Sequence, residues 1–255
     1  MENAVFNQLF LFLLINVRMG TFIQLLPVFG GQTIPIRYKA GMTAIFSLVV
    51  LPFVALRAIP GNIVGFVLLL CSEILLGMML GILCAVIFEV FHAAGSYLGL
   101  ELGFSLVDVI DPYNANGFTG MDSFLYLFSV LIFFAINGHL MLVDAIIQSF
   151  RTIPIGGLSI SPDFGRILIE NFAWMFYFSF LIVLPIVASI LIVHIALGVV
   201  AKTAPRVQVF LISFPLKIGV GLGLLILIFP GVAILISKVY LRLYQELNTA
   251  LRLLS

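Results

Sequence analysis

Charge is scarce in this sequence. Twelve Lys and Arg and eleven Asp and Glu make up 9% of 255 residues, against about 25% in an ordinary soluble domain. That excludes a soluble globular chain, and a net charge of +1 without a clustered basic surface argues against nucleic acid. Cysteine is nearly absent. Cys71 and Cys84 lie thirteen positions apart in one apparent helix, roughly 20 Å along its axis, so they cannot bridge and are expected as small core residues. The three histidines, His92, His139 and His194, stand apart, with no HExxH and no His/Cys pair at metal spacing. A GxSxG elbow and a P-loop are also missing. Gly219, Gly221 and Gly223 form no dinucleotide fingerprint, because Leu224 and Ile226 occupy the places of its third glycine. No enzyme, metal or cofactor is expected. Glu2 is the only charge in Met1 to Asn7, and no small-residue cleavage site follows, so no cleaved signal peptide is expected.

What is present is apolar: 63% of residues are hydrophobic and the mean hydropathy is +1.28. The fold class expected is an all-α integral membrane protein of long, kinked helical hairpins, with room for roughly six to eight hydrophobic helices at about 20 residues per crossing. Leu9 to Val28 is a first span, closed by Pro27 and Gly30-Gly31, and Ala40 to Leu56 a second. Ile63 to Phe91 exceeds one perpendicular crossing. Ser123 to Phe150 reads as one long helix holding Asn137-Gly-His139 and Asp144. Ser161 before Pro162 reads as an N-cap with proline in the first turn. Phe164 to Val200, with Pro185, and Val207 to Ser237, with Pro215 and Pro230, form a proline-broken hairpin around a basic turn. From Tyr240 on, Leu243, Tyr244, Leu247, Leu251 and Leu254 share one face, an amphipathic tail suited to an interface or a partner.

The stretch from Glu73 to Gly120 organises the rest. At about 100° per residue, Gly77, Gly81, Ala85, Gly95, Gly99 and Gly103 fall within an arc of roughly 80°, a small-residue strip along which another backbone can approach, from this chain or another subunit. After Gly103 comes a mixed segment, in which Leu106, Val107, Val109, Ile110, Tyr113 and Phe118 alternate with Asp108, Asp111, Asn114 and Asn116. Pro112, with Asn114, Asn116, Gly117 and Gly120, supplies turn chemistry, and the helix is expected to stop near Val109.

Arg18, Glu73, Glu89 and Lys217 lie in apolar stretches, where facing lipid would cost roughly 2.5–3.5 kcal/mol each. They are expected to be buried against protein or water, either as a proton relay or polar conduit or as pairs between helices or subunits. For six crossings, Arg57, Arg151, Arg166, Lys238, Arg242 and Arg252 stand on one side, against Arg37, Lys39, Lys202 and Arg206. The balance favours a cytoplasmic C-terminus.

In order and spacing the chain resembles the FliR/SctT family of type III secretion export gates, nearer to its flagellar members. The carrying residues are Arg18 with Pro27-Val-Phe-Gly30 and Pro35; Glu73-Ile-Leu-Leu-Gly77 with Gly81; Gly95 to Gly103 leading to Asp111-Pro112; Asn137-Gly-His139 with Ser149-Phe150 and Pro154-Ile-Gly156; and Ala196-Leu-Gly-Val-Val-Ala-Lys-Thr-Ala-Pro205 through Val209-Phe210 to Phe214-Pro-Leu-Lys-Ile218. Two positions depart from the family: Leu140 replaces a frequent second histidine, and Arg206 stands where glutamine is common.

The resemblance implies a single membrane domain over 1–255: FliP-like helices over about 1–170, a FliQ-like hairpin over about 171–237 and the tail over 238–255. It implies one copy assembled with FliP-like and FliQ-like subunits into a helical, pore-forming gate in the bacterial inner membrane at the flagellar basal body, working with FlhA-like and FlhB-like components. Unfolded flagellar subunits would pass through it. The segment near 103–120 would be the pore plug, Gly77, Gly81, Gly95, Gly99 and Gly103 would pack against subunits, and membrane lipid would be a further partner, although much of the hydrophobic mass would pack on subunits instead of crossing lipid as a conventional bundle. A virulence injectisome gate is the alternative within the family. A small-solute secondary transporter is the rival outside it, but the halves before and after residue 128 show no inverted repeat.

Overall fold

A computed structural model describes residues 2–30, 34–54, 62–104, 120–204, 206 and 208–255, and every regular element among them is helical. Helix α1 spans Glu2–Leu25, α2 Pro27–Gly30, α3 Ile36–Val50 with a 3-10 turn at Leu51–Phe53, and α4 Ile63–Leu102. Helices α5 (Gly120–Ala135), α6 (Gly138–Thr152), α7 (Pro162–Thr203) and α8 (Val209–Leu253) follow. The expected plug residues, Leu106 to Phe118, lie in 105–119, outside the described residues.

The ends of these helices follow from local chemistry. Asn62 caps α4 by accepting the Gly65 N–H at 3.0 Å. Ser161 caps α7 as its sequence predicts, its hydroxyl accepting the Asp163 N–H at 3.3 Å. The stop of α4 comes earlier than the expected Val109, and Gly103 is the reason. At φ +85 it takes the left-handed cap position, with Phe104 N–H donating to Gly99 O at 2.9 Å and Gly103 N–H to Leu100 O at 3.1 Å. This is the paired hydrogen-bond pattern of a glycine helix end. Gly103→Val should therefore fray the last turn of α4 and cost about 1–2 kcal/mol, read as faster amide exchange at Leu102 and Phe104.

The single helix expected over Ser123 to Phe150 is instead two, bent by 71° at Asn137. Asn137 adopts φ 59, ψ 30, which asparagine tolerates better than most residues, and Gly138 follows. Conversely, the prolines expected to break the later hairpin do not: α7 runs through Pro185, and α8 through Pro215 and Pro230. Each removes one backbone bond.

Five described helical segments are long and apolar enough to cross a membrane: Phe6–Leu25, Ile36–Phe53, Ile63–Leu102, Pro162–Thr203 and Val209–Leu253; the bent pair α5 and α6 makes a sixth if it is one span. The chain is thus an all-α integral membrane protein. Helix α4 has 40 residues, about 60 Å at 1.5 Å each, twice the apolar thickness of a bilayer.

Contacts divide the chain into two compact units. The first comprises Met1–Ile87, Asn137–Phe172 and Tyr240–Ser255. Its core holds Leu14, Ile15, Met19, Leu76, Leu80 and Leu83. It also takes in the tail: Tyr240, Leu243, Leu247, Leu251 and Leu254 are buried, Tyr244 donates its hydroxyl to Asp144 at 2.6 Å, and Ser159 N–H donates to Leu254 O at 3.2 Å. The apolar face that suited a partner is covered by this chain itself, and the tail is the continuation of α8. The second unit comprises Phe88–Ile136 and Ala173–Val239. There Phe88 and Phe133 meet edge to face at 5.2 Å, His92 stacks on Tyr126 at 4.3 Å, and the Ser179 hydroxyl donates to Val90 O at 3.0 Å.

Candidate functional site

The charges singled out in the sequence do not share one fate. Arg18 and Glu73 are fully buried, in the first unit, and face each other with Arg18 Nε 2.5 Å from Glu73 Oε2. Arg18 Nη1 donates to the backbone carbonyls of Ser149 at 3.2 Å and Ile153 at 3.1 Å, and Glu73 Oε1 accepts the Gly156 N–H at 3.0 Å. The guanidinium lies over the Phe150 ring, 4.3 Å from its centroid, while Nη2 has no hydrogen-bond acceptor among the described residues. Arg18 therefore neutralises Glu73 and also ties down the end of α6, adding a donor to the Ser149 carbonyl, which already accepts the C-cap Ile153 N–H at 2.9 Å, and serving the Ile153 carbonyl just beyond the helix. The node joins α1, α4 and the end of α6.

The glycines explain how α1 comes this close. A Cβ on Gly77 would collide with the Thr21 side chain and sit 2.5 Å from the Arg18 carbonyl, and one on Gly81 would lie 2.7 Å from Leu25 Cβ. Glu73, Gly77 and Gly81, each four residues apart, thus form one ridge of α4 packed along Arg18, Thr21 and Leu25 of α1. The residue numbers rise together, so the two helices run in the same direction there. In the second unit a Cβ on Gly95 would collide with Asp122 Cα and lie 2.8 Å from both Asp122 N and Met121 O, and one on Gly103 would lie 2.8 Å from the Phe214 ring. Gly99 is buried and contributes its carbonyl to the α4 cap. Of the residues expected to pack on other subunits, Gly77, Gly81, Gly95 and Gly103 here meet helices of their own chain.

Glu89 corrects the expectation of burial: it is exposed. It lies on the stripe of α4 that runs through Ile82, Ala85, Glu89, Ser96 and Leu100, none of them buried, while the helix is otherwise the best covered of the long spans. Lys217 is half-buried on α8. Both belong to the second unit, whereas the Arg18–Glu73 pair belongs to the first. Cys84 is buried as expected, whereas Cys71 is exposed, because it faces away from the ridge of Glu73 and Gly77.

Several buried polar groups escaped the sequence reading. Asp122 is 1% exposed and its carboxylate accepts from the Ser123 N–H and hydroxyl. Asn171 is equally buried and donates to Ile167 O at 3.0 Å and Glu246 Oε2 at 3.4 Å. Lys39, Thr43 and Ser47 are all buried on α3, with each hydroxyl donating to the carbonyl four residues earlier at 2.8 Å. The last set had a legible signal: polar residues at a spacing of four in an apolar helix mark an inward stripe when the outside is lipid. No group of three His, Cys, Asp or Glu that could hold a metal occurs among the described residues. The arrangement joins helices through charge and close backbone contact.

Comparison with known proteins adds to this geometry. The profile of the family described as Bacterial export proteins, family 1, matches residues 9–243. A flagellar biosynthetic protein FliR of Bacillus subtilis is 29% identical over 98% of both chains. The proteins of that name from Pectobacterium carotovorum and Escherichia coli K12 are 30% and 26% identical, over 85% of this chain and 84% and 83% of theirs.

Proposed function

This chain belongs to the bacterial export proteins of family 1, and from that membership we propose that it is a pore-forming structural component of the flagellar type III export gate, through which unfolded flagellar subunits cross the inner membrane. The observation that carries this reading is a similarity extending over 98% of the length of a flagellar relative. The relatives named above are all flagellar, which favours the flagellar system over a virulence injectisome. Its partners in this reading are FliP-like and FliQ-like subunits around one copy of this chain, with FlhA-like and FlhB-like components alongside. The FliP-like part covers about 1–170 and the FliQ-like hairpin about 171–237. Supporting it, an apolar 18-residue stretch of α7 and one of α8 have only 22% and 17% of their residues buried within the chain, which leaves large apolar faces for lipid and neighbouring subunits. A structural role needs no catalytic set, and the buried charges serve it by joining helices.

The segment near 103–120 closes the pore in this reading. Its apolar residues would seal against surrounding subunits while Asp108, Asp111, Asn114 and Asn116 meet water. A strain lacking this gene should stop secreting hook protein and flagellin and regain both with the intact gene. Deleting residues 108–117 should leave the complex assembled but leaky to ions. Normal secretion in the null strain would refute the export role, and unchanged conductance of an intact deletion complex would refute the plug alone.

A further inference from the structure

A groove between α1 and α3 in the first unit has a cavity of about 600 Å³ lined by Asn16, Gly20, Gln24, Lys39, Thr43 and Met78, among others. Lys39 is 7% exposed, so the groove holds a nearly buried cation, and no carboxylate occurs among its described lining residues. From this geometry we infer that the groove binds a phospholipid with an anionic headgroup.

Depth and charge both favour that occupant. Lys39 lies in the first turn of α3, where Arg37 and Tyr38 are exposed. A basic and an aromatic residue at the start of a span mark the headgroup level of a bilayer. Further along α3, Ile45, Leu48 and Val49 are each more than half exposed, as a lipid-facing surface would be. The groove therefore sits where a headgroup and the top of an acyl chain lie. Lys39 is also engaged within the chain, but an ammonium has three donors and can serve a phosphate as well. Helix α3 adds to the positive field, because its N-cap, Pro35, offers no side-chain acceptor to the first-turn N–H groups. Thr43 and the amides of Asn16 and Gln24 add uncharged polar groups to the lining of the groove.

The test uses the full chain purified with its partner subunits in mild detergent, comparing wild type, Lys39→Arg and Lys39→Gln by native mass spectrometry. Wild type and Lys39→Arg should retain phosphatidylglycerol, and Lys39→Gln should retain about fivefold less. Equal retention by all three, or equal retention of phosphatidylcholine and phosphatidylglycerol, would overturn the proposal. Should Lys39→Gln fail to assemble, a second measurement keeps Lys39 intact. With Ala40→Trp in nanodiscs, brominated phosphatidylglycerol should quench the added fluorescence, relative to the unsubstituted chain, more than brominated phosphatidylcholine at the same mole fraction. Equal quenching means no headgroup preference, and absent quenching means that a partner subunit fills the groove. Either result refutes it.

Discussion

Glu73→Ala should cost the chain about 3–5 kcal/mol, a large share of the stability of a typical protein. The replacement leaves the Arg18 guanidinium charged at zero exposure, with two carbonyl acceptors, an aromatic face and no counter-charge. Arg18→Ala should be comparably severe, since it strands the Glu73 carboxylate and removes the guanidinium donor from the Ser149 and Ile153 carbonyls. Lysine should not rescue position 18, because one ammonium lacks the planar fork that reaches Glu73 and two carbonyls at once. The double replacement Arg18→Met with Glu73→Leu should be milder than either single, because no buried charge remains. It should still fall short of wild type, because the Gly156 N–H loses its acceptor. Thermal unfolding in detergent and accumulation in membranes measure this order. A double replacement as harmful as both singles would show that the hydrogen bonds to α6 and Gly156, and not the uncompensated charge, dominate.

The second large effect is expected at Gly95. Its Cβ would meet backbone atoms of Met121 and Asp122, which no rotamer change can move, so even Gly95→Ala should cost about 3 kcal/mol by overpacking. Gly221→Ala is a useful contrast: the three atoms nearest its Cβ all belong to the Leu102 side chain, which can rotate, so the loss should be smaller. Gly219→Leu completes the set, for nothing lies within 4 Å of a Cβ there. It should leave the isolated chain unchanged while lowering the yield of the assembled complex if a neighbouring subunit covers that face of α8. Equal stability of Gly95→Ala and wild type would mean that α4 and α5 are not held at the observed approach. Normal assembly of Gly219→Leu would place that face against lipid.

Much of the membrane architecture was legible because its cause is local. Twenty apolar residues in a row leave one backbone solution in lipid, and Ser161-Pro162 announces a helix start by atoms within one turn. The limits of the helices were less legible. Asn137 and Gly103 each had the residue type for a left-handed turn, but whether the helix yields there depends on what the following segment packs against, and Pro185, Pro215 and Pro230 show helices that do not yield. The amphipathic tail was visible as a pattern, while its covering by its own chain was not.

What the sequence by itself determined is the membrane class, the helical fold, the small-residue strip and the small set of charges that lipid cannot accommodate, since each follows from composition or from spacing along a single helix. Only the tertiary structure decided that Arg18 meets Glu73 and the Ser149 and Ile153 carbonyls at the end of α6, that Gly77 serves α1 while Gly95 serves α5, that Glu89 is left exposed, and that Lys39 sits in a groove. Those pairings join residues 55 or more positions apart in the case of the charged node, and a helical pattern specifies which face is small or polar without specifying which other face will meet it.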